Sequence, residues 1–204
     1  MSVDLTILNT GAANLASVVA AFDRLGLEVV ITDKAMAIRH AGRVVLPGVG
    51  ACAPVAAQIA GSGLADAIRS RIENDRPTLA ICLGLQLLAD GSEEGDGVEG
   101  LGVLPIRASR FPDTVVVPQL GWNTVEAAPG AQLLTDGAAY FANSYRLTEP
   151  APGWTTAWSD HGGPFVAAVE RGSVLACQFH PELSGAWGQD LLKRWLVSGG
   201  GDPC

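Results

Sequence analysis

The sequence predicts a three-layer α/β fold: a mostly parallel sheet with helices on both faces and some antiparallel additions. Short apolar runs alternate with helical patterns in the first half of the chain, an order typical of parallel sheets. The second half carries strand-like runs separated by glycine and proline. With 204 residues, of which 48% are hydrophobic and 17% charged, the chain is long enough for one core and too apolar for a disordered protein.

The strands expected in the first half are short, apolar and bounded by polar or glycine residues. They are Leu5–Leu8, Val29–Thr32, Val44–Leu46 and Thr78–Ile81. Helices are expected between them, because apolar residues recur there at helical spacing, over 15–25, 51–60, 64–74 and 83–90. Asn14 is a candidate N-cap of the first helix, and Gly26 a candidate stop.

In the second half the apolar runs predict five further strands and one helix. The strands are 103–107, 114–117, 140–143, 165–169 and 174–179, and the helix is 188–197. His161 lies in a glycine-rich segment that resembles a hairpin turn. We expect one domain over residues 1–198 and a loose tail over 199–204.

Composition excludes several classes of function. The net charge of −8 disfavours nucleic acids and anionic membranes, both of which attract clustered Lys and Arg. We see neither a run that is long and apolar enough for a membrane span nor a signal peptide. Four widely spaced cysteines lack zinc-like spacing, which predicts reduced thiols, no metal site and a cytoplasmic chain. They are Cys52, Cys82, Cys177 and Cys204.

Cys82 stands where a buried strand meets a helix, with the small residues Ala80 and Gly84 two positions to either side. That spacing suits a sharp strand-to-helix turn of the kind that exposes a nucleophile. Amides at the start of a helix favour a thiolate and can hold a developing oxyanion. The alternative is a buried cysteine that acts as a small hydrophobic residue, which is our interpretation of Cys52 and Cys177.

His180 follows a strand and is separated from Glu182 by one proline. Residues two apart in extended chain point the same way, so the carboxylate can lie beside the imidazole and set its tautomer. Taken alone, the pair also fits a solvated loop. Together with Cys82, it makes a Cys–His–Glu triad the leading hypothesis.

The glycine loop Pro47–Gly50 follows a strand and permits close backbone approach to a ligand. Taken alone, the glycine pair favours an ordinary tight turn. Neither dinucleotide nor P-loop motifs occur, so no nucleotide cofactor is expected. A Val49 or Gly50 amide is a candidate oxyanion donor opposite the Leu83 amide.

These segments and three others resemble the class I (triad-type) glutamine amidotransferases. More narrowly, they resemble the glutaminase subunits of imidazole glycerol phosphate synthase, known as HisH. The matching segments span nearly the whole chain in the expected order and are 14–18, 46–51, 81–88, 121–123, 144–145 and 178–182.

The resemblance implies that Cys82 attacks the side-chain amide of glutamine, that His180 relays protons and that Glu182 orients His180. It implies that a further group of residues surrounds the bound glutamine and the oxyanion: Gly48, Val49, Gly50, Leu83, Gln86, Ser144 and Tyr145. It implies no cofactor. The expected partner is the cyclase subunit HisF, a (β/α)₈ barrel that would form a heterodimer and receive ammonia for histidine biosynthesis. Residues expected at or near that interface are Asn14, Gln119 and Trp122.

The sequence departs from the usual family pattern at a few positions. Gln119 and Asn143 stand where histidine is common, and Leu183 stands where Lys or Arg is common. Cys52 replaces a usual Phe, and Ala80 a usual Gly. Three alternatives stay open: the glutaminase subunit of another ammonia-channelling synthase, a non-catalytic regulatory subunit on the same fold, and a different thiol hydrolase.

Overall fold

The computed structural model describes residues 5–11, 14–95 and 97–198. The predicted tail over 199–204, with Cys204, lies outside these residues. The described strands are β1 (Leu5–Leu8), β2 (Val29–Thr32), β3 (Val44–Leu46), β4 (Thr78–Ile81), β5 (Ala89–Ser92), β6 (Val98–Glu99), β7 (Leu104–Arg110), β8 (Gln119–Ala127), β9 (Gly137–Asn143), β10 (Tyr145–Arg146), β11 (Thr155–Asp160), β12 (Pro164–Arg171) and β13 (Val174–Cys177). The described helices are α1 (Leu15–Asp23), α2 (Ala35–His40), α3 (Cys52–Ala60), α4 (Leu64–Glu73), α5 (Leu83–Leu88) and α6 (Gly185–Ser198), with a 3₁₀ turn at Pro181–Leu183.

The main sheet joins a parallel half to an antiparallel half. Its strand order in the described chain is β2-β1-β3-β4-β13-β12-β11-β8-β9, and the pairs from β2 to β13 are parallel. The remaining pairs are antiparallel. A smaller sheet has the order β10-β7-β5-β6. The mixed α/β fold class is therefore confirmed, and the antiparallel additions form the whole second half of the main sheet.

Helices cover both faces of the parallel half because its strands alternate their side chains between two cores. Val44 and Leu46 pack with α2 to α5, whereas Val45 packs with α1 and α6. The neighbouring strand β13 divides in the same way, with Ala176 in the first core and Leu175 in the second. Among the described residues, no helix has both the length and the apolar character that a membrane crossing needs.

Several predicted elements differ from the observed ones. The expected strand at 114–117 is wrong, since this segment forms a turn and irregular chain between Pro112 and Pro118. Prolines cannot donate to a ladder hydrogen bond, and Val116 is 80% exposed. The helix expected over 83–90 ends at Leu88, and the chain continues directly into β5. The last helix begins at Gly185, three residues before the predicted start.

The ends of α1 match the sequence signals in part. Gly26 has a φ of 80°, and its amide donates to the carbonyl of Asp23 at 2.9 Å, so the glycine stop is confirmed. Asn14 occupies the N-cap position, but its side chain makes no capping bond and instead donates to the Ser17 hydroxyl at 3.0 Å. The predicted capping contact of Asn14 is therefore wrong.

A buried arginine on α4 fixes the starts of the central strands. Arg71 is 1% exposed and donates to the carbonyls of Ile38, Ala41, Gly42 and Pro77 and to a threonine hydroxyl. These oxygens lie at the end of α2 and just before β3 and β4. Burial lowers the pKa of Arg71 to about 10, with a further lowering from neighbouring Arg76, so the side chain stays charged at neutral pH.

Arg71→Met is expected to destabilise the protein by about 3–5 kcal/mol, because four carbonyl oxygens lose a buried donor. Chemical denaturation of the variant measures this loss. Arg69→Met on the same helix is the control: Arg69 is half-exposed, with one bond to the Leu101 carbonyl and an exposed ion pair to Asp66. Equal losses in the two variants would contradict the role assigned to Arg71.

Candidate active site

Cys82 lies at a strained turn between β4 and α5. Its φ of 53° and ψ of −106° fall in a region that non-glycine residues rarely adopt. The turn is held from both sides: the Cys82 amide donates to the Cys177 carbonyl on β13 at 2.7 Å, and the Cys82 carbonyl accepts from the Leu85 amide at 3.0 Å. The surrounding structure thus fixes the strained residue that carries the thiol.

Small residues on either side of Cys82 let this turn form. A Cβ atom at Gly84 would lie 2.2 Å from the Leu46 carbonyl oxygen and 3.4 Å from the Ala80 Cβ. A larger residue at position 84 would therefore collide with β3. The sharp strand-to-helix turn inferred from the spacing of Ala80, Cys82 and Gly84 is confirmed.

The structure brings His180 and Glu182 to this turn. The His180 Nδ1 lies 2.8 Å from Glu182 Oε1, and the side chains of both residues are 5% exposed. The Cys82 side chain lies close enough to His180 to raise the pKa of that ring, together with Glu182. Cys82, His180 and Glu182 therefore form one continuous row, although almost a hundred residues separate the cysteine from the histidine.

The charge state of His180 follows from these contacts. Burial alone lowers the pKa of His180, but the hydrogen bonds and charges of Cys82 and Glu182 outweigh it and raise this pKa from 6.5 to about 10. The imidazole is thus held as a cation at neutral pH.

A raised pKa makes the stability of the protein depend on pH. Between pH 6.5 and 10 the native state binds more protons at His180 than the unfolded state does, so the free energy of unfolding falls as pH rises. The full contribution is present below pH 6.5. We expect wild type to lose up to a few kcal/mol more than His180→Gln across this range in denaturation measurements. Parallel pH curves for the two proteins would contradict this expectation.

A cavity of about 310 Å³ opens beside the Cys82 sulfur. Five of the residues predicted to surround glutamine and the oxyanion line it: Gly50, Leu83, Gln86, Ser144 and Tyr145. The Gln86 side chain donates to the Tyr145 carbonyl at 3.2 Å, which ties α5 to the segment that enters β10. The cavity is therefore bounded by the Cys82 turn on one side and the 142–145 segment on the other.

Glu94 also lines this cavity, although no sequence signal selects it. Its carboxylate accepts a hydrogen bond from the Cys52 amide at 3.0 Å. No motif marks Glu94, because its place in the site depends on the path of the chain after β5. It contributes a negative group to a cavity that is otherwise lined by neutral side chains.

The two segments expected to supply oxyanion donors, the glycine loop and the start of α5, contact each other. The Leu83 amide donates to the Gly48 carbonyl at 3.3 Å, so the amide is occupied in this conformation. A Cβ at Gly48 would lie 2.6 Å from the Leu83 Cβ, which shows how closely the glycine loop approaches the turn. Gly48 and Val49 face a second cavity, whereas Gly50 faces the first.

This second cavity, of about 130 Å³, lies on the other side of the triad. His180 and Glu182 line it with Asn14, and exposed Leu183 borders it. Of the residues predicted near a partner, Asn14 is exposed and Trp122 is 60% exposed. Gln119 is buried, with its Oε1 unpaired within the described chain, but it lines a surface cavity beside Trp122.

Burial keeps the other two described thiols, those of Cys52 and Cys177, protonated at neutral pH. Burial, with a smaller effect of Glu94, raises the pKa of Cys52 to about 11, and burial raises the pKa of Cys177 well above its usual value. Within 5–11, 14–95 and 97–198, no group of three or more His, Cys, Asp or Glu side chains is placed to hold a metal ion.

Comparison with known proteins identifies the family. Residues 6–198 match the model of the family described as glutamine amidotransferase class-I. The chain belongs to the class-I glutamine amidotransferases. The family resemblance inferred from the short motifs is confirmed.

Curated members of this family are similar over nearly the whole chain. The imidazole glycerol phosphate synthase subunit HisH of Renibacterium salmoninarum is 41% identical, with 97% of this chain and 95% of that protein covered. The chloroplastic imidazole glycerol phosphate synthase hisHF of Arabidopsis thaliana is 40% identical over 94% of this chain. The chain spans only 34% of that longer protein.

A solved glutamine amidotransferase has the same fold. It superposes with a TM-score of 0.73 at 21% sequence identity, and the match covers 97% of this chain and 99% of that one. The architecture of the class-I amidotransferases thus extends to proteins that are distant in sequence.

Proposed function

We propose that the chain is the glutaminase subunit of an imidazole glycerol phosphate synthase and hydrolyses glutamine to supply ammonia for histidine biosynthesis. The observation that carries this proposal is the group of Cys82, His180 and Glu182 beside a cavity of about 310 Å³, in a chain 41% identical to a HisH subunit. No cofactor or metal takes part in the proposed reaction.

In the first half of the reaction the Cys82 thiolate attacks the side-chain amide carbon of glutamine. His180, held as the imidazolium, gives a proton to the leaving nitrogen, and ammonia departs to leave a glutamyl thioester. Glu182 keeps the ring oriented and balances its charge. We expect the Glu94 carboxylate, at the cavity wall, to pair with the α-ammonium group of glutamine.

In the second half His180 takes a proton from water, the hydroxide displaces the thiol, and glutamate is released. Each tetrahedral intermediate carries an oxyanion that needs donors. The Leu83 amide can serve only when the Gly48 carbonyl moves away from it, since the two are hydrogen-bonded at 3.3 Å. We therefore expect the 48–50 loop to rearrange before efficient hydrolysis, with a Val49 or Gly50 amide as the second donor.

The partner in this proposal is a cyclase subunit of the HisF type, a (β/α)₈ barrel in a heterodimer with this chain. We place its docking face around exposed Trp122 and Leu183, because Leu183 lines the second cavity with His180 and Glu182, and the Trp122 ring lies beside Gly185, two residues further along the chain. Ammonia would leave through the second cavity, past Asn14. The proposal also places the complex in the cytoplasm, where the Cys82 thiol would stay reduced.

Two measurements test the proposal. A glutamine-mimicking electrophile is expected to label Cys82, which mass spectrometry of tryptic peptides would locate, and added glutamine should protect it. Glutamate release by the purified chain is then assayed with and without the cyclase subunit, against asparagine, peptides and esters. Hydrolysis of a peptide or ester in preference to glutamine, or absence of label at Cys82, would contradict the proposal.

A further inference from the structure

A row of three side-chain amides runs from the glutamine cavity to the nucleophile. The Asn143 and Gln86 amide groups both donate to the Tyr145 carbonyl, at 3.0 and 3.2 Å. Gln86 Nε2 also donates to Gln178 Oε1 at 3.0 Å, and Gln178 Nε2 lies 3.6 Å from the Cys82 sulfur. Gln178 has no exposed surface, so its hydrogen bonds are not shared with bulk water.

The direction of this row is fixed by a backbone group. A carbonyl oxygen can only accept, so Gln86 must turn its NH₂ group toward Tyr145. That same NH₂ group faces Gln178, which must therefore present its oxygen to Gln86. The NH₂ group of Gln178 is left to point at the sulfur. The network thus aims a donor, and not an acceptor, at Cys82.

Gln178 and His180 approach the sulfur from the same strand end. They are two residues apart just after β13, and the Gln178 amide is anchored to the Ala167 carbonyl at 2.8 Å. The Cys82 amide is anchored to the adjacent Cys177 carbonyl at 2.7 Å. The distance between the Gln178 side chain and the sulfur is therefore set by two backbone contacts.

We propose that Gln178 is a catalytic residue that donates a hydrogen bond to the Cys82 thiolate and holds it in line with the glutamine cavity. This inference rests on the proposed role of Cys82 as the nucleophile. A hydrogen bond to a charged acceptor is stronger than one to a neutral acceptor, so the contact stabilises the thiolate more than the thiol. Gln86 hydrogen-bonds both Gln178 and the Tyr145 carbonyl. Glutamine bound against the Tyr145 segment would therefore contact the network that orients the Cys82 sulfur.

The test compares Gln178→Leu and Gln178→Glu with wild type in the complex with the cyclase subunit. Leucine removes the donor at similar volume, and glutamate keeps an acceptor for Gln86 but, when ionised, lacks the N–H group. We expect kcat to fall about ten- to a hundredfold in Gln178→Leu and further in Gln178→Glu, with KM within about threefold of wild type. The pH profile of Cys82 alkylation by iodoacetamide should move to higher pH in both variants.

Thr156→Val is the control, since it removes a buried hydroxyl on β11 at nearly constant volume and is expected to leave kcat and alkylation unchanged. A structural role alone would lower the melting temperature of the Gln178 variants without moving the alkylation profile. Unchanged alkylation and kcat in either folded Gln178 variant would overturn the inference. A wild-type protein whose Cys82 is not alkylated would instead contradict the proposed function, so the two failures are distinguishable.

Discussion

Cys82→Ala is expected to abolish glutamine-dependent synthesis by the complex, with a loss of at least about 10⁴-fold in kcat. The reason is that the thioester cannot form without the sulfur, and neither His180 nor water in the cavity replaces it. The variant should fold, because alanine fits a turn whose neighbours are already small. Steady-state assays of glutamate release and of imidazole product measure the loss.

The same variant should retain synthesis from added ammonium salts. Ammonia then enters the cyclase directly, and this step does not involve Cys82. Cys52→Ala is the matched control, because that thiol is also buried but burial raises its pKa to about 11 and removes its reactivity at neutral pH. Retained glutamine hydrolysis in Cys82→Ala would exclude this cysteine as the nucleophile, and loss of the ammonium-dependent rate would show a defect in assembly.

The parallel half of the fold follows from local sequence signals. The strands β1, β3 and β4 are mostly apolar, because a parallel sheet covered on both faces buries every residue of its central strands, whereas β2 lies at the sheet edge and is only partly buried. Gly26 and the small residues around Cys82 mark the ends of elements, because backbone geometry admits few other residues there. Such constraints act over a few neighbours, and a single sequence displays them.

The strands of the antiparallel half are harder to predict from the sequence, because partners that are distant in sequence stabilise them. β8 was not predicted because burial and polarity do not coincide along it. The polar residue Gln119 is buried, whereas the apolar residues Leu120 and Trp122 are exposed. β11 was missed as well, and it pairs with β8 and β12. The short helix α2 was missed because only Ile38 of its six residues is buried.

In the site, too, only the residues with local sequence signals could be predicted. Cys82, His180 and Glu182 could be selected because each has a local signature: a sharp turn, or a carboxylate two residues from an imidazole. The extended chain expected between His180 and Glu182 is wrong, since Pro181–Leu183 forms a 3₁₀ turn, but this turn also brings the two side chains together. Gln178 and Glu94 have none. Gln178 meets Gln86 and Cys82 across 92 and 96 residues of sequence, and only the fold shows those contacts.

Glu182→Gln is expected to lower kcat for glutamine hydrolysis about 10²- to 10⁴-fold with little change in KM. The carboxylate accepts from His180 Nδ1 at 2.8 Å, which orients the ring and leaves the proton on its other nitrogen available to the leaving group. A carboxamide is neutral and can turn its own N–H group toward Nδ1, so the ring is oriented less firmly and the imidazolium loses its balancing charge. Because the side chain is 5% exposed, solvent cannot compensate for the lost charge.

The pH dependence of Glu182→Gln also distinguishes the orienting role of Glu182 from its effect on the charge of His180. Glu182 helps to raise the pKa of His180, so its removal lowers that pKa, and the alkaline limit of activity should move to lower pH. Stopped-time assays across pH 6 to 10 measure both effects. The exposed carboxylate of Glu73 provides the control, since Glu73→Gln makes the same chemical change on α4, away from the cavity. A Glu182→Gln enzyme with wild-type kcat and an unmoved pH limit would show that the imidazole is oriented by other contacts, with the buried carboxylate serving only to balance charge.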